Sequence, residues 1–124
     1  MTPSWDDRTP AEDLLARAAE DWVHPAEAMG IFRRAGIKDP EMMRDITIGL
    51  VARLIEDDLI VAGDISDSGF MPWPLSKGDS LMRIVHSWIA TPDPFVMPGE
   101  VFWLAPTSEG ARIGKEVWHR EGRV

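Results

Sequence analysis

The sequence contains no cysteine, asparagine, glutamine or tyrosine. Without cysteine, the chain forms no disulfide and offers no thiolate ligand to a metal ion. Asparagine and glutamine are the side chains that usually recognise adenine, so base-specific contacts would depend on arginine, serine and threonine. These absences narrow the kinds of site that the chain can build.

Long hydrophobic runs are missing as well. Charged residues interrupt the apolar stretches within a few positions, which predicts that no helix spans a membrane. The acidic segment 1–7 lacks a basic region followed by an apolar core, so we expect no secretory signal. Together these features predict a cytoplasmic protein that does not bind membranes.

Positive charge is scarce. Lysine and arginine together number 13 against 21 aspartate and glutamate residues, which gives a net charge of −8. Because phosphate contacts dominate nucleic-acid affinity, an acidic chain repels a duplex unless folding gathers its basic side chains on one face. The length of 124 residues is that of one domain with a hydrophobic core.

Capping signals predict five helices. The segment from Thr9 to Glu12 is a capping box with proline at the first helical position, and an apolar stripe of period 3.6 continues to Trp22. Comparable starts occur at His24-Pro25, Asp39-Pro40, Ser76 and Thr107. The predicted helices cover residues 10–22, 25–36, 40 to the region 56–58, 77–90 and 107–119.

Two strands are predicted, one over 59–65 and one over 100–104, because both segments are rich in branched and aromatic residues. The turn-forming residues between them predict loops rather than further strands. The remaining assignments are a loop at 66–75, a proline-rich loop at 91–99, flexible tails at 1–8 and 120–124, and a single domain over 9–119.

The junction from Leu54 to Ile65 carries a helix directly into a strand, and the run from Trp103 to Gly110 carries a strand into a Thr-capped helix. Both features resemble the winged-helix superfamily, and the resemblance covers about residues 10–117. It implies an α+β, mainly helical fold with a three-helix core, a small antiparallel hairpin and a C-terminal helix. In this chain the insertion 66–99, which includes a helix, interrupts the hairpin.

In the family that the chain resembles, the third helix enters the DNA major groove. Here Arg44 and Arg53 are about 180° apart on that helix, so they do not form one basic face. The pattern favours a core helix with a solvated acidic face. The charged residues of this segment are five acids, Glu41, Asp45, Glu56, Asp57 and Asp58, against the two arginines.

No motif predicts catalysis, a metal or a cofactor. The run Asp64 to Gly69 partly imitates a calcium-binding loop, but Leu75 stands where a glutamate is required. The histidines lie on three different elements without metal-ligand spacing. Nucleophile and phosphate-binding motifs are absent from the sequence. We therefore expect neither an enzyme nor a cofactor-dependent protein.

Two functional hypotheses remain. The first is an acidic protein-interaction module, for example an immunity or antitoxin protein, that binds a protein partner or forms a homodimer. The aromatic side chains of 66–75 either form such an interface or fill the core beneath a long loop. The candidate contacts are Phe70, Met71, Trp73, Phe95, Met97, Glu56, Asp57 and Asp58.

The second hypothesis is a DNA-binding transcriptional regulator, which the winged-helix resemblance implies. It requires folding to collect the scattered basic residues into one surface. The local surpluses of positive charge are Arg33, Arg34, Lys38, Arg112, Lys115 and Arg120.

Overall fold

The computed structural model describes residues 7–122. The chain folds as an α+β protein with five helices and a small antiparallel sheet in the described residues, and this confirms the predicted α+β class. The elements in chain order are α1 (Pro10–Glu20), α2 (Pro25–Arg34), α3 (Pro40–Glu56), β1 (Ile60–Ser66), β2 (Gly69–Pro72), α4 (Lys77–Ile89), β3 (Trp103–Pro106) and α5 (Ser108–Arg120).

Local capping explains where the helices begin. Thr9 accepts a hydrogen bond from the Glu12 amide, and the Glu12 carboxylate accepts one from the Thr9 amide, which completes the predicted capping box. Single side-chain caps start the other four helices in the same way, at His24, Asp39, Ser76 and Thr107. The predicted helix starts therefore agree with the structure.

The sheet has the order β2-β1-β3, with β1 antiparallel to both neighbours. The predicted loop 66–75 is wrong where it covers Gly69–Pro72, because these residues pair with Gly63 to Ser66 across a two-residue turn. Gly69 adopts a φ of 104° there, a conformation that favours glycine. The strand has only four residues and ends at a proline, so its sequence does not show the alternation of apolar and polar residues that predicts a strand.

The last strand begins later than predicted, at Trp103 instead of Glu100. Val101 has a φ of 69°, and the Phe102 amide donates to the Glu100 carbonyl oxygen, so this stretch turns rather than extends. β3 then pairs with β1 on one side and forms an isolated bridge from Leu104 to Val23 on the other. The chain between α1 and α2 thus reaches the sheet.

The core lies between the helices and the sheet. Trp88 and Phe102 are almost completely buried and meet edge to face with their ring centroids 5.6 Å apart. The Trp88 indole Nε1 donates to the Pro94 carbonyl oxygen at 2.8 Å, which satisfies its polar group within the core.

The two predicted tails are wrong within the described residues, because Arg8 and Glu121 are buried against each other. Each side chain is 1% exposed, and the Arg8 Nε lies 2.6 Å from the Glu121 Oε2. Arg8 Nη1 also donates to Asp13 at 3.0 Å, and its guanidinium lies 4.5 Å from the Trp118 ring centroid. Residues 1–6 and 123–124 of the predicted tails lie outside the described residues.

Candidate docking groove

An open groove of about 610 Å³ lies between α1, α3 and α5. Aliphatic and aromatic side chains form most of its lining, and Glu12, Arg53 and Asp57 add charge at its rim. We call it the α3 groove. Its apolar lining comprises Ala11 and Leu15 from α1, Phe32 from α2, Ile46, Leu50 and Leu54 from α3, Leu59, and Ile113 from α5.

The groove exists because α3 carries apolar residues on two faces. The inner face packs into the core through Met43, Thr47, Val51, Leu54 and Ile55, all of them buried. The outer face follows the spacing i, i+4, i+7, i+11 and presents Met42, Ile46, Gly49 and Arg53. Met42 is 51% exposed and Ile46 is 37% exposed, so apolar surface remains uncovered on this face.

Gly49 stands in the middle of this outer face. An added Cβ at this position meets nothing within 4 Å among the residues that the structure describes. Glycine inside a helix costs about 1 kcal/mol of stability relative to alanine. The described fold contains no close packing that requires this glycine.

The rim of the groove is held by ion pairs. Arg53 Nε lies 3.0 Å from Asp57 Oδ2, and Arg120 Nη1 lies 2.6 Å from Glu12 Oε2. The hydrogen bond from Arg120, together with the Thr9 backbone amide, lowers the pKa of Glu12 below its ordinary value of 4.5. The carboxylate of Glu12 therefore contributes to folding when it is charged.

This shift predicts an acid dependence of stability. Because the folded-state pKa of Glu12 is lowered, its contribution is complete above pH 4.5 and is lost as the pH falls through the folded-state pKa. Glu12→Gln keeps an oxygen acceptor for the capping box but removes the charge. Urea unfolding from about pH 6 to about pH 3 is expected to show a smaller loss of stability for Glu12→Gln than for the wild type.

Glu20→Gln is the matched control, because Glu20 is an exposed residue of the same helix. It is expected to follow the wild-type profile. Parallel profiles for the wild type and Glu12→Gln would show that Glu12 does not contribute in this way.

The candidate partner contacts from the sequence lie on separate parts of the surface. Phe70 packs beside Trp22 with ring centroids 6.3 Å apart, whereas Met71 and Met97 are 52% and 70% exposed. Phe95 lies beneath the guanidinium of Arg33 at 4.7 Å. The structure does not bring these side chains into one cluster.

Trp73 is only 6% exposed and belongs to the hydrophobic core. Arg83 covers its ring, with the guanidinium carbon 4.0 Å from the centroid. The indole Nε1 is buried and has no hydrogen-bond partner within residues 7–122. Of the two interpretations of the segment 66–75, core packing describes this side chain.

The acidic candidates Glu56, Asp57 and Asp58 diverge at the end of α3. Asp57 lines the α3 groove and pairs with Arg53. Asp58 pairs with Lys77 at 3.0 Å on another side. Glu56 is exposed, and its carboxylate has no ion pair within the described part of the chain. Only Asp57 of this set reaches the groove.

Three of the six basic candidates, Arg34, Arg112 and Arg120, form ion pairs with carboxylates. Arg112 pairs with Glu109 and Glu116, Arg120 pairs with Glu12, and Arg34 Nη2 lies 2.7 Å from Asp13 Oδ2. Lys115 is exposed on α5. Arg33 and Lys38 meet in a hollow of about 390 Å³ beside Phe95. Folding thus places these side chains on α2, on the α2–α3 connection and on α5.

The sequence does not indicate the groove, because Ile46 and Leu50 have the same helical periodicity as the buried apolar positions of α3. In the structure Ile46 is partly exposed and Leu50 is half-buried at the groove wall. An apolar helix with two faces gives no local indication of which face the rest of the chain covers. The available signal was Gly49, an unexplained glycine among those exposed positions.

Within residues 7–122, no group of three or more His, Cys, Asp or Glu side chains has an arrangement that could hold a metal ion. None of the helices in this part of the chain is long and apolar enough to cross a membrane. Comparison with known proteins adds no assignment, since no family model, curated protein or solved structure matches the chain.

Proposed function

We propose that this chain is a non-enzymatic protein-interaction module and that the α3 groove is its docking site. The observation that carries the proposal is the uncovered apolar lining of the groove beside the exposed face of α3. Burial of apolar surface contributes about 25 cal/mol per Å², so a partner gains affinity by covering the part of Ile46 and its neighbours that is still exposed. Apolar grooves with a polar rim are common protein-binding surfaces.

A winged-helix-like arrangement is part of this proposal. The three N-terminal helices, the antiparallel pair β1 and β3, and the bridge from Val23 to Leu104 support it. In such an arrangement α3 is the helix that would face DNA. Its exposed positions include the apolar or acidic side chains of Met42, Ile46 and Asp45, and its one exposed base, Arg53, pairs with Asp57. These side chains suit a protein surface better than a phosphate backbone.

Site-specific photo-crosslinking tests the docking site in cells that contain the native partner. A benzophenone amino acid at Leu50 is expected to form an adduct with a specific protein, because Leu50 lines the groove. The same probe at Leu75, which is 43% exposed outside the groove, is the control. Adding Ile46→Glu to the Leu50 probe is expected to abolish the adduct.

Equal adducts from both positions, or an adduct that survives Ile46→Glu, would overturn the proposal. Fluorescence anisotropy with random duplex DNA at about 20 mM salt distinguishes the second hypothesis, since screening is weak there. Tight, salt-sensitive duplex binding without a Leu50 adduct would favour the regulator.

A further inference from the structure

We propose that the occupant of the α3 groove is a basic amphipathic helix of a partner protein, laid along α3 with its backbone close to Gly49. This inference rests on the proposed function, because it assumes that the groove is a docking site. It adds the secondary structure and charge of the partner and the point of closest approach.

The outer face of α3 has the form of a helix-binding surface. Met42, Ile46, Gly49 and Arg53 follow one line down the helix, and Leu50 continues it into the groove. A partner helix contacts such a line through its own apolar side chains at positions i, i+3, i+4 and i+7. The α3 groove beside Ile46 and Leu50 provides space for those side chains.

Gly49 marks the crossing point. Interaxial distances between packed helices depend on the side chains at the contact, and a glycine permits the closest approach. Gly114 shows this within the chain itself, because an added Cβ there would meet the Leu15 oxygen of α1, and one at Gly110 would meet the Leu59 oxygen in the connection before β1. Gly49, in contrast, is exposed, and an added Cβ there has no neighbour within 4 Å among the described residues.

The acidic residues beside the apolar line indicate that the partner helix is positively charged. Glu41, Asp45 and Glu56 lie within about 60° of one another on the helix, along one flank of the apolar line. Asp45 pairs with Arg44 at 2.9 Å, whereas the carboxylates of Glu41 and Glu56 have no ion pair in the described part of the chain. Lysine or arginine on the facing edge of the partner complements this flank.

The same charges argue against a second copy as the occupant. A copy would bring an identical acidic flank to the contact, and the chain carries a net charge of −8. The acidic flank also disfavours a phosphate backbone along this face.

The probe for the first test is a labelled synthetic leucine–lysine amphipathic helix of about 18 residues with a central alanine on its apolar face. The same peptide with glutamate in place of lysine is the control ligand. Anisotropy at about 50 mM salt is expected to show binding of the lysine peptide and at least about tenfold weaker binding of the glutamate peptide. Binding of neither peptide, or preference for the glutamate peptide, would overturn the inference.

Gly49→Ala is the decisive variant. It is expected to raise the urea midpoint of unfolding, because alanine favours the helix. It is also expected to weaken binding of the lysine peptide at least about fivefold. Gly30→Ala is the matched control, since Gly30 also lies in a helix with nothing within 4 Å of an added Cβ. It is expected to raise the midpoint and leave the affinity unchanged.

A charge series completes the test. The double variant Glu41→Gln with Glu56→Gln is expected to weaken binding by about fivefold and to flatten its salt dependence. Glu20→Gln with Asp67→Asn removes the same charge from exposed positions elsewhere and is expected to bind as the wild type. Equal effects of the two double variants on affinity would contradict a role of Glu41 and Glu56 in binding the partner helix.

The outcomes separate this inference from the proposed function. If Ile46→Glu abolishes binding of the captured partner but Gly49→Ala and the charge variants do not weaken it, the groove is the docking site and the basic helix is wrong. If Ile46→Glu leaves the partner bound, the proposed function itself fails. A dimer that Gly49→Ala dissociates, or duplex binding that Gly49→Ala weakens, would overturn the inference in favour of a second copy or of DNA.

Discussion

Arg8→Ala is expected to lower the free energy of unfolding by about 3–5 kcal/mol, because it breaks the buried ion pair with Glu121. Arg8 donates to Glu121 through Nε at 2.6 Å and through Nη2 at 2.7 Å, and both side chains are 1% exposed. Burial alone lowers the pKa of Arg8, but the hydrogen bonds with Glu121 and Asp13 outweigh it and raise the pKa above its ordinary value. Urea unfolding at about pH 7 measures the loss.

Arg53→Ala provides the control for this measurement. Arg53 pairs with Asp57 at 3.0 Å, but the two side chains are 78% and 47% exposed. Such surface pairs contribute about 0–1 kcal/mol. A loss below about 1 kcal/mol for Arg8→Ala, equal to that of the control, would show that the buried pair of Arg8 and Glu121 does not stabilise the fold.

Gly114→Ala is expected to destabilise the protein by about 3 kcal/mol, at the upper end of the usual cost of overpacking. An added Cβ would lie 2.2 Å from the Leu15 carbonyl oxygen and 2.8 Å from the Ala19 Cβ. The backbone of α1 must therefore move away from α5 to admit the methyl group. This displacement would also strain the neighbouring hydrogen bond from Trp118 Nε1 to the Ala16 oxygen.

Gly30→Ala serves as the comparison, because an added Cβ there meets nothing within 4 Å among the described residues. It is expected to stabilise the protein by up to about 1 kcal/mol through helix propensity. Equal stability changes of the same sign for Gly114→Ala and Gly30→Ala, measured by urea unfolding, would contradict the close contact between α1 and α5.

Helix starts are predictable because the signal and its effect lie within one turn. Thr9 with Glu12, and Thr107 with the amide of Gly110, are separated by three residues in sequence and in the capping bond. The β1–β3 pairing was also accessible, since both segments have strand composition. These features depend little on the rest of the molecule.

Long-range contacts were not predictable in the same way. Arg8 and Glu121 are 113 residues apart, and neither end of the chain has a local pattern that would indicate their pairing. The glycines at 110 and 114 have the small-xxx-small spacing of close helix contacts, which was a usable signal for the packing of α5 on α1. β2 escaped prediction because four residues ending in proline resemble a loop.

The docking groove could not be predicted from the sequence either. Helical periodicity identifies the apolar positions of α3, including Ile46 and Leu50, but it does not say which of them α1 and α5 leave uncovered. That outcome depends on the position of α5, which the glycine contacts set. The candidate site is therefore a consequence of tertiary packing.

The most direct test of the docking site is the affinity of the partner captured at Leu50 for three proteins: wild type, Ile46→Glu and Ile89→Glu. Ile46 is 37% exposed and lines the groove, whereas Ile89 is 55% exposed on α4 and lies outside its lining. We expect at least about tenfold weaker binding for Ile46→Glu, which corresponds to about 1.4 kcal/mol, and unchanged binding for Ile89→Glu. Unchanged affinity for Ile46→Glu, or equal losses for both variants, would contradict docking in the α3 groove.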